Sequence, residues 1–231
     1  MNRLVLRLGM WSAFLIAADF ILYTVCFVAI LMSPPIFKWT TLTDYVTYTA
    51  THPSFFKDAA MYLMLIFGPL FVVLLSALHE YARDEQKILT RISTAFGLAF
   101  AVLVGINYFV QLSVVRQSVL HGQLTGLEQV VQANPMSAMT GLNMLGWSLF
   151  LGLASLFAAP ILAGGRLEKA IKVTLIINGL CCLLGGLSYI YEFSLGVFLF
   201  ITFGMGGAVT AATLLMGVWF RRGLRQSVAR A

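Results

Sequence analysis

The feature of this sequence that most limits its fold is a series of six long apolar runs, Gly9–Met32, Ala59–His79, Ser93–Val115, Met139–Leu162, Ala170–Ile190 and Leu195–Phe220. About 20 mostly apolar residues carry a helix across a hydrocarbon core of about 30 Å. In that medium a helix is favoured because it satisfies its own backbone N–H and C=O groups. The runs cover most of the 231 residues, which predicts an all-α chain: a single integral membrane domain, residues 1–231, built as a six-transmembrane-helix bundle. Little remains from which to build a separate soluble domain. Composition agrees, with 60% apolar and 10% charged residues against about 25% charged in soluble domains. Six prolines and three cysteines in so apolar a chain match neither disorder, a collagen repeat nor a disulfide scaffold.

Arg3 and Arg7 precede the first run in the manner of a signal peptide. The run is longer than a signal core and no small-x-small site precedes Pro34–Pro35, so a retained helix is expected. Basic residues then set the orientation. Arg3, Arg7, Arg83, Lys87, Arg91, Arg166, Lys169, Lys172, Arg221, Arg222, Arg225 and Arg230 fall on one side, against Lys38, Lys57 and Arg116 on the other. The expected protein therefore lies in the cell (cytoplasmic) membrane with both termini cytoplasmic. The net charge of +6 sits in short loops beside helix ends. There it serves topology and contact with the lipid bilayer, and no nucleic-acid partner is expected.

Two outer loops stand out. Ser33–Asp58 carries Trp39, Tyr45, Tyr48, Phe55 and Phe56 among threonines, which suits a short helix on the membrane surface. Arg116–Ser137 carries Gly122, Gly126 and an Asn134–Pro135 turn, with one or two helical turns expected in Leu124–Val131. The tight connection Tyr191–Ser194 makes the last two spans a hairpin. Gly204, Ala208 and Ala212 recur every four residues on the last span, a spacing that lets helices approach closely. This stripe serves either packing within the chain or a homodimer face.

Polar residues inside the spans are the candidate functional groups. Asp19 lies about 15 Å deep by rise per residue, and Asn178 reaches a similar depth on a span of the same direction. The two are expected as a midplane pair, either a buried hydrogen bond or a point of proton or cation coupling. Nearer the outside, Asn107 and Gln111 share a helix face with Tyr108 adjacent and Arg116 beyond. Asn143 and Trp147 form a second i, i+4 stripe, Tyr23 reaches the same level, and Glu192 enters from the last outer turn as a charge partner for Arg116. These groups make either a polar pocket open to the outside or a set of interhelical hydrogen bonds.

No catalytic residue or metal site is legible. Cys26, Cys181 and Cys182 have neither redox nor zinc spacing, and His52, His79 and His121 are scattered. No cofactor motif is present. Gly68–Pro69 in the second span is a site for a kink.

The run Asn107-Tyr108-Phe109-Val110-Gln111, then Val114-Val115-Arg116, Asn134-Pro135, Leu145-Gly146-Trp147 and Ala158-Ala159-Pro160 resembles a group of small, mostly uncharacterised prokaryotic multi-pass membrane proteins. The resemblance covers about residues 106–162. It implies the same six-helix architecture, brings no settled activity, and marks Asn107, Gln111, Arg116 and Asn134 for testing. The expected function is binding of a small amphiphilic ligand, or of a membrane partner, through the outer pocket. A secondary transporter coupled through Asp19 is the alternative, and an intramembrane enzyme a third.

Overall fold

The computed structural model describes residues 2–229, with side chains through residue 227; Arg230 lies outside the described residues. Among the described residues there is no strand. Six helices are long and apolar enough to cross a membrane: α1 (Arg3–Leu31), α3 (Phe55–Tyr81), α4 (Asp84–Leu120), α5 (Ala138–Ile161), α6 (Arg166–Ile190) and α7 (Ser194–Ser227). The short α2 (Leu42–Thr51) lies between α1 and α3. The chain is a multi-pass helical membrane protein.

Most helices run past the apolar limits expected of them. An apolar run ends at the first charge, whereas a helix ends where its terminal amides find a cap. The Asn2 side chain accepts from Leu4 N–H at 2.9 Å and starts α1 ahead of Arg3 and Arg7. Ser54 accepts from Lys57 N–H and starts α3 ahead of Asp58. At the head of α4 the Asp84–Lys87 ion pair spans 2.9 Å.

Each long helix packs beside its neighbours in the chain, whether the connection is short or long, and α7 returns to pack on α1. The order around the bundle is thus α1, α3, α4, α5, α6, α7. An aromatic cluster fills part of the interior: the Phe67 ring centroid lies 6.0 Å from Phe20, 5.8 Å from Phe100 and 5.5 Å from Trp147. Outward faces are apolar too. On α6, Val173, Ile177, Leu180, Leu184 and Leu187 are exposed at alternating spacings of four and three, as a lipid-facing stripe requires.

Small residues set the closest helix approaches. A β-carbon added at Gly179 of α6 would lie 2.9 Å from the Gly152 carbonyl oxygen of α5. Gly68 brings α3 onto α4, where an added β-carbon would sit 3.0 Å from Ala101 Cα; Pro69 is accommodated within the same continuous helix. The stripe on α7 is used within the chain: a β-carbon at Gly204 would meet Cys181 Sγ at 2.6 Å, and Ala208 and Ala212 are buried. Ala208 and Ala212 are thus covered by helices of the same chain.

At the end opposite the termini, here the loop end, a second small core forms. Leu42 and Tyr45 of α2 pack with Val115 of α4 and with Leu127 and Val131 of the α4–α5 loop. The loop carries a single helical turn, Leu127–Gln129, where one or two were expected. At the terminal end, Glu168 Oε1 of α6 accepts from Tyr81 Oη and Trp219 Nε1, each at 3.1 Å, and ties α3, α6 and α7 together.

Candidate functional site

Asn107, Tyr108 and Gln111 present the polar face of α4 toward the loop end. Gln111 opens a stretch, Gln111–Val115, in which α4 widens to a π-helical turn, and Trp147 lies in a second such stretch, Gly146–Phe150, of α5. Wide turns of this kind shift side-chain register and are frequent at functional sites. Gln111 is spent on the loop above it. Its Nε2 donates to the Val130 carbonyl at 2.7 Å and its Oε1 accepts from Gln132 N–H at 3.0 Å. Asn107 Nδ2 donates to Gln132 Oε1 at 3.1 Å.

The loop is also tied to itself. Asn134 Nδ2 donates to the Glu128 carbonyl at 2.9 Å, its Oδ1 accepts from Met136 N–H at 3.1 Å, and Thr140 Oγ1 donates to the Gln132 and Asn134 carbonyls, each at 2.9 Å. An asparagine that hydrogen-bonds the backbone two residues on is the turn chemistry Asn134–Pro135 signals in the sequence. The result is a lid latched to α4 by two amides.

Beneath the lid lies a polar chamber. The Tyr108 side chain is buried with its hydroxyl facing Gln132, Asn143 and Trp147. The Asn107 and Asn143 Oδ1 atoms are buried there without a hydrogen-bond partner. Beside this chamber a cavity of about 740 Å³ opens between α1, α2, α3, α4 and the lid. Tyr23, Tyr108, Gln111 and Gln132 give it a polar floor, Phe27, Ile30, Met61 and Leu112 an apolar wall, and Lys57, Asp58 and Arg116 charged groups. Lys57 Nζ stands 5.0 Å from the centroid of the Tyr45 ring, a cation–π distance. Burial, reinforced by the Asp58 carboxylate, pushes the Tyr45 phenol above its ordinary range and keeps it neutral under the ammonium.

The structure thus brings Tyr23, Asn107, Tyr108, Gln111, Asn143 and Trp147 to one end of the bundle, with Arg116 on the same cavity. Glu192 does not join them. It sits in the α6–α7 turn at φ 56°, exposed, and among the described residues the only ion pair is Asp84–Lys87, so Glu192 forms none with Arg116. The midplane pair also fails to form. Asn178 Nδ2 donates to Ser155 Oγ of α5 at 2.7 Å, while α1, which carries Asp19, packs on α3 and α7. Depth arithmetic fixes height but not position around the bundle, and α7 lies between α1 and α6. Asp19 is buried with its Oδ2 unpartnered, and it is not among the residues lining the cavity.

Three contributors escaped sequence reading. Gln132 and the Val130 carbonyl act through the backbone fold of a loop, for which no side-chain pattern exists. Lys57 counts in sequence as a loop cation, and only the docking of α2 sets it over Tyr45. Among the described residues no cluster of His, Cys, Asp and Glu suits a metal ion, and Cys26, Cys181 and Cys182 are free thiols.

No protein-family model matches this chain, and comparison with curated proteins and with solved structures finds no match.

Proposed function

We propose that this is a protein of the cell membrane, with both termini cytoplasmic, that binds a small amphiphilic ligand in the cavity at its outer, loop end. The observation that carries the reading is the cavity itself: about 740 Å³, walled by apolar side chains over a polar floor. Small-molecule sites run at about 300–1,000 Å³ and combine these same two surfaces. Hydrogen bonding to the α4–α5 loop accounts for Gln111 and the Asn107 amide nitrogen, but it leaves the open space beside them unused.

The test uses the full chain in nanodiscs of zwitterionic lipid, titrated with twelve-carbon amphiphiles of differing head group. Binding above that of empty nanodiscs is expected. It should be lost on filling the cavity with Ala133→Trp or Thr49→Trp, both at cavity-lining positions outside the buried core. Equal binding by these variants would overturn the reading.

A second reading, transport coupled through Asp19, draws on its buried and unpartnered Oδ2. An ionisable group buried in a membrane helix is costly and is by default a candidate functional site. Asp19→Asn should then abolish pH-dependent uptake of the bound amphiphile into proteoliposomes while leaving binding intact.

A further inference from the structure

We infer that the cavity selects an amphiphile with one anionic head group, which Lys57 and Arg116 hold at the rim. The inference rests on the cavity being an amphiphile site. It begins from where the charges lie. Lys57 shares a helix face with Ala60 and Met61, three and four residues on, and all three line the cavity. Arg116 shares its face with Leu112, Val119 and Leu120, which line it as well. Two cations from different helices are therefore aimed into one space.

Neither forms an ion pair with another described residue, although the Asp58 carboxylate acts on Lys57 from the next position in the chain. Asp58 lines the same cavity. Lys57 is half-buried and its ammonium rests on the Tyr45 ring, so part of its hydration is gone. His52 is engaged elsewhere, with its Nδ1 at 2.8 Å from Thr51 Oγ1 and its ring stacked on Tyr48. Lys57, Arg116 and Asp58 together bring a net charge of about +1 to the lining.

The charge is confined to one level. Tyr108 lies about two helical turns along α4 from Arg116. The groups at that depth, Tyr23, Tyr108, Gln111 and Gln132, are uncharged, and apolar Phe27, Ile30, Met61 and Leu112 lie along the wall. A ligand matching this lining carries one negative charge at the mouth and an apolar body inward. A carboxylate carries that single charge, and a monoalkyl phosphate, with about 1.5 to 2 negative charges near neutral pH, presents the same kind of anionic oxygens.

The experiment compares dodecanoate, dodecyl phosphate, dodecanol and dodecyltrimethylammonium on the full chain in zwitterionic nanodiscs, with empty nanodiscs subtracted. Dodecanoate, dodecyl phosphate or both should bind at least about tenfold more tightly than dodecanol, the scale of a hydrogen bond to a charged group. The cationic amphiphile should bind most weakly. Whichever anion prevails identifies the head group as carboxylate or phosphate. Lys57→Met and Arg116→Gln should each reduce the preference and together abolish it, with dodecanol affinity unchanged, whereas Lys57→Arg should keep it. Arg116 is exposed, so Arg116→Gln alone carries the test should Lys57→Met fail to fold. Equal binding of dodecanol and both anions in the wild type, or a preference undiminished by the removal of Arg116, overturns the charge selection and leaves amphiphile binding standing. Binding of none of the four removes both.

Discussion

Gln111→Leu isolates the latch between α4 and the lid. The substitution keeps most of the side-chain bulk and removes both amide atoms, so it deletes the 2.7 Å bond to the Val130 carbonyl and the 3.0 Å bond from Gln132 N–H. Each net hydrogen bond is worth about 0.5–1.5 kcal/mol, and more where the remaining partner stays buried. Two such bonds amount to about 2 kcal/mol. That corresponds to a roughly 30-fold rise in the equilibrium constant for lid opening. The loss is local because the lid keeps the Asn107–Gln132 bond, its own turn bonds and the packing of Leu127 and Val131 in the small core. Hydrogen exchange read by mass spectrometry on peptides covering residues 122–137 measures it. Protection there should fall by more than tenfold, while peptides from α6 keep theirs. Unchanged exchange in the lid would refute the assignment of Gln111 as its latch, whatever happened to ligand binding.

Three further outcomes follow from other parts of the molecule. Single cysteines in Ser33–Asp58 or Leu124–Val131 should react with an impermeant thiol reagent on intact cells, and cysteines in Arg83–Arg91 should not; the reverse pattern would invert the proposed orientation. Gly204→Leu should lower Tm markedly because its β-carbon would strike Cys181, whereas Gly207→Leu, with open space at that position, should leave it nearly unchanged; equal melting of the two would mean that Gly204 is not at a helix contact. Trp219→Phe, which deletes one donor to Glu168, should lower Tm by a few degrees, the effect of about 1 kcal/mol in a domain of this size; an unaltered Tm would remove the terminal-end tie from the account.

The six helices were legible because apolar length is a one-dimensional property, and so was the shared face of Asn107 and Gln111, which follows from helical spacing. What those amides bind was not legible. The latch partners are the Val130 carbonyl and the Gln132 amide, backbone groups that every residue carries. Asp19 and Asn178 have matching depths, yet the order of helices around the bundle separates them, and Asn178 turns to Ser155 instead. Glu192 lies near Arg116 in height only; the left-handed backbone of its turn leaves it exposed. The cavity came from a segment the sequence presented as a short aromatic helix on the membrane surface. By docking on α4 and the lid, α2 turns that segment into a wall and sets Tyr45 beneath Lys57.

The central claim is that an amphiphile enters the space between α1, α2, α3, α4 and the lid. Photolabelling tests it most directly: the full chain in nanodiscs is irradiated with a fatty acid that carries a diazirine on its alkyl chain, and the adducts are mapped by mass spectrometry. Adducts concentrated on peptides containing Phe27, Ile30, Met61, Leu112 and Val119, and competed away by unlabelled dodecanoate, are the predicted result. Labelling no stronger there than on the lipid-facing stripe of Leu180, Leu184 and Leu187, and insensitive to competitor, would contradict it.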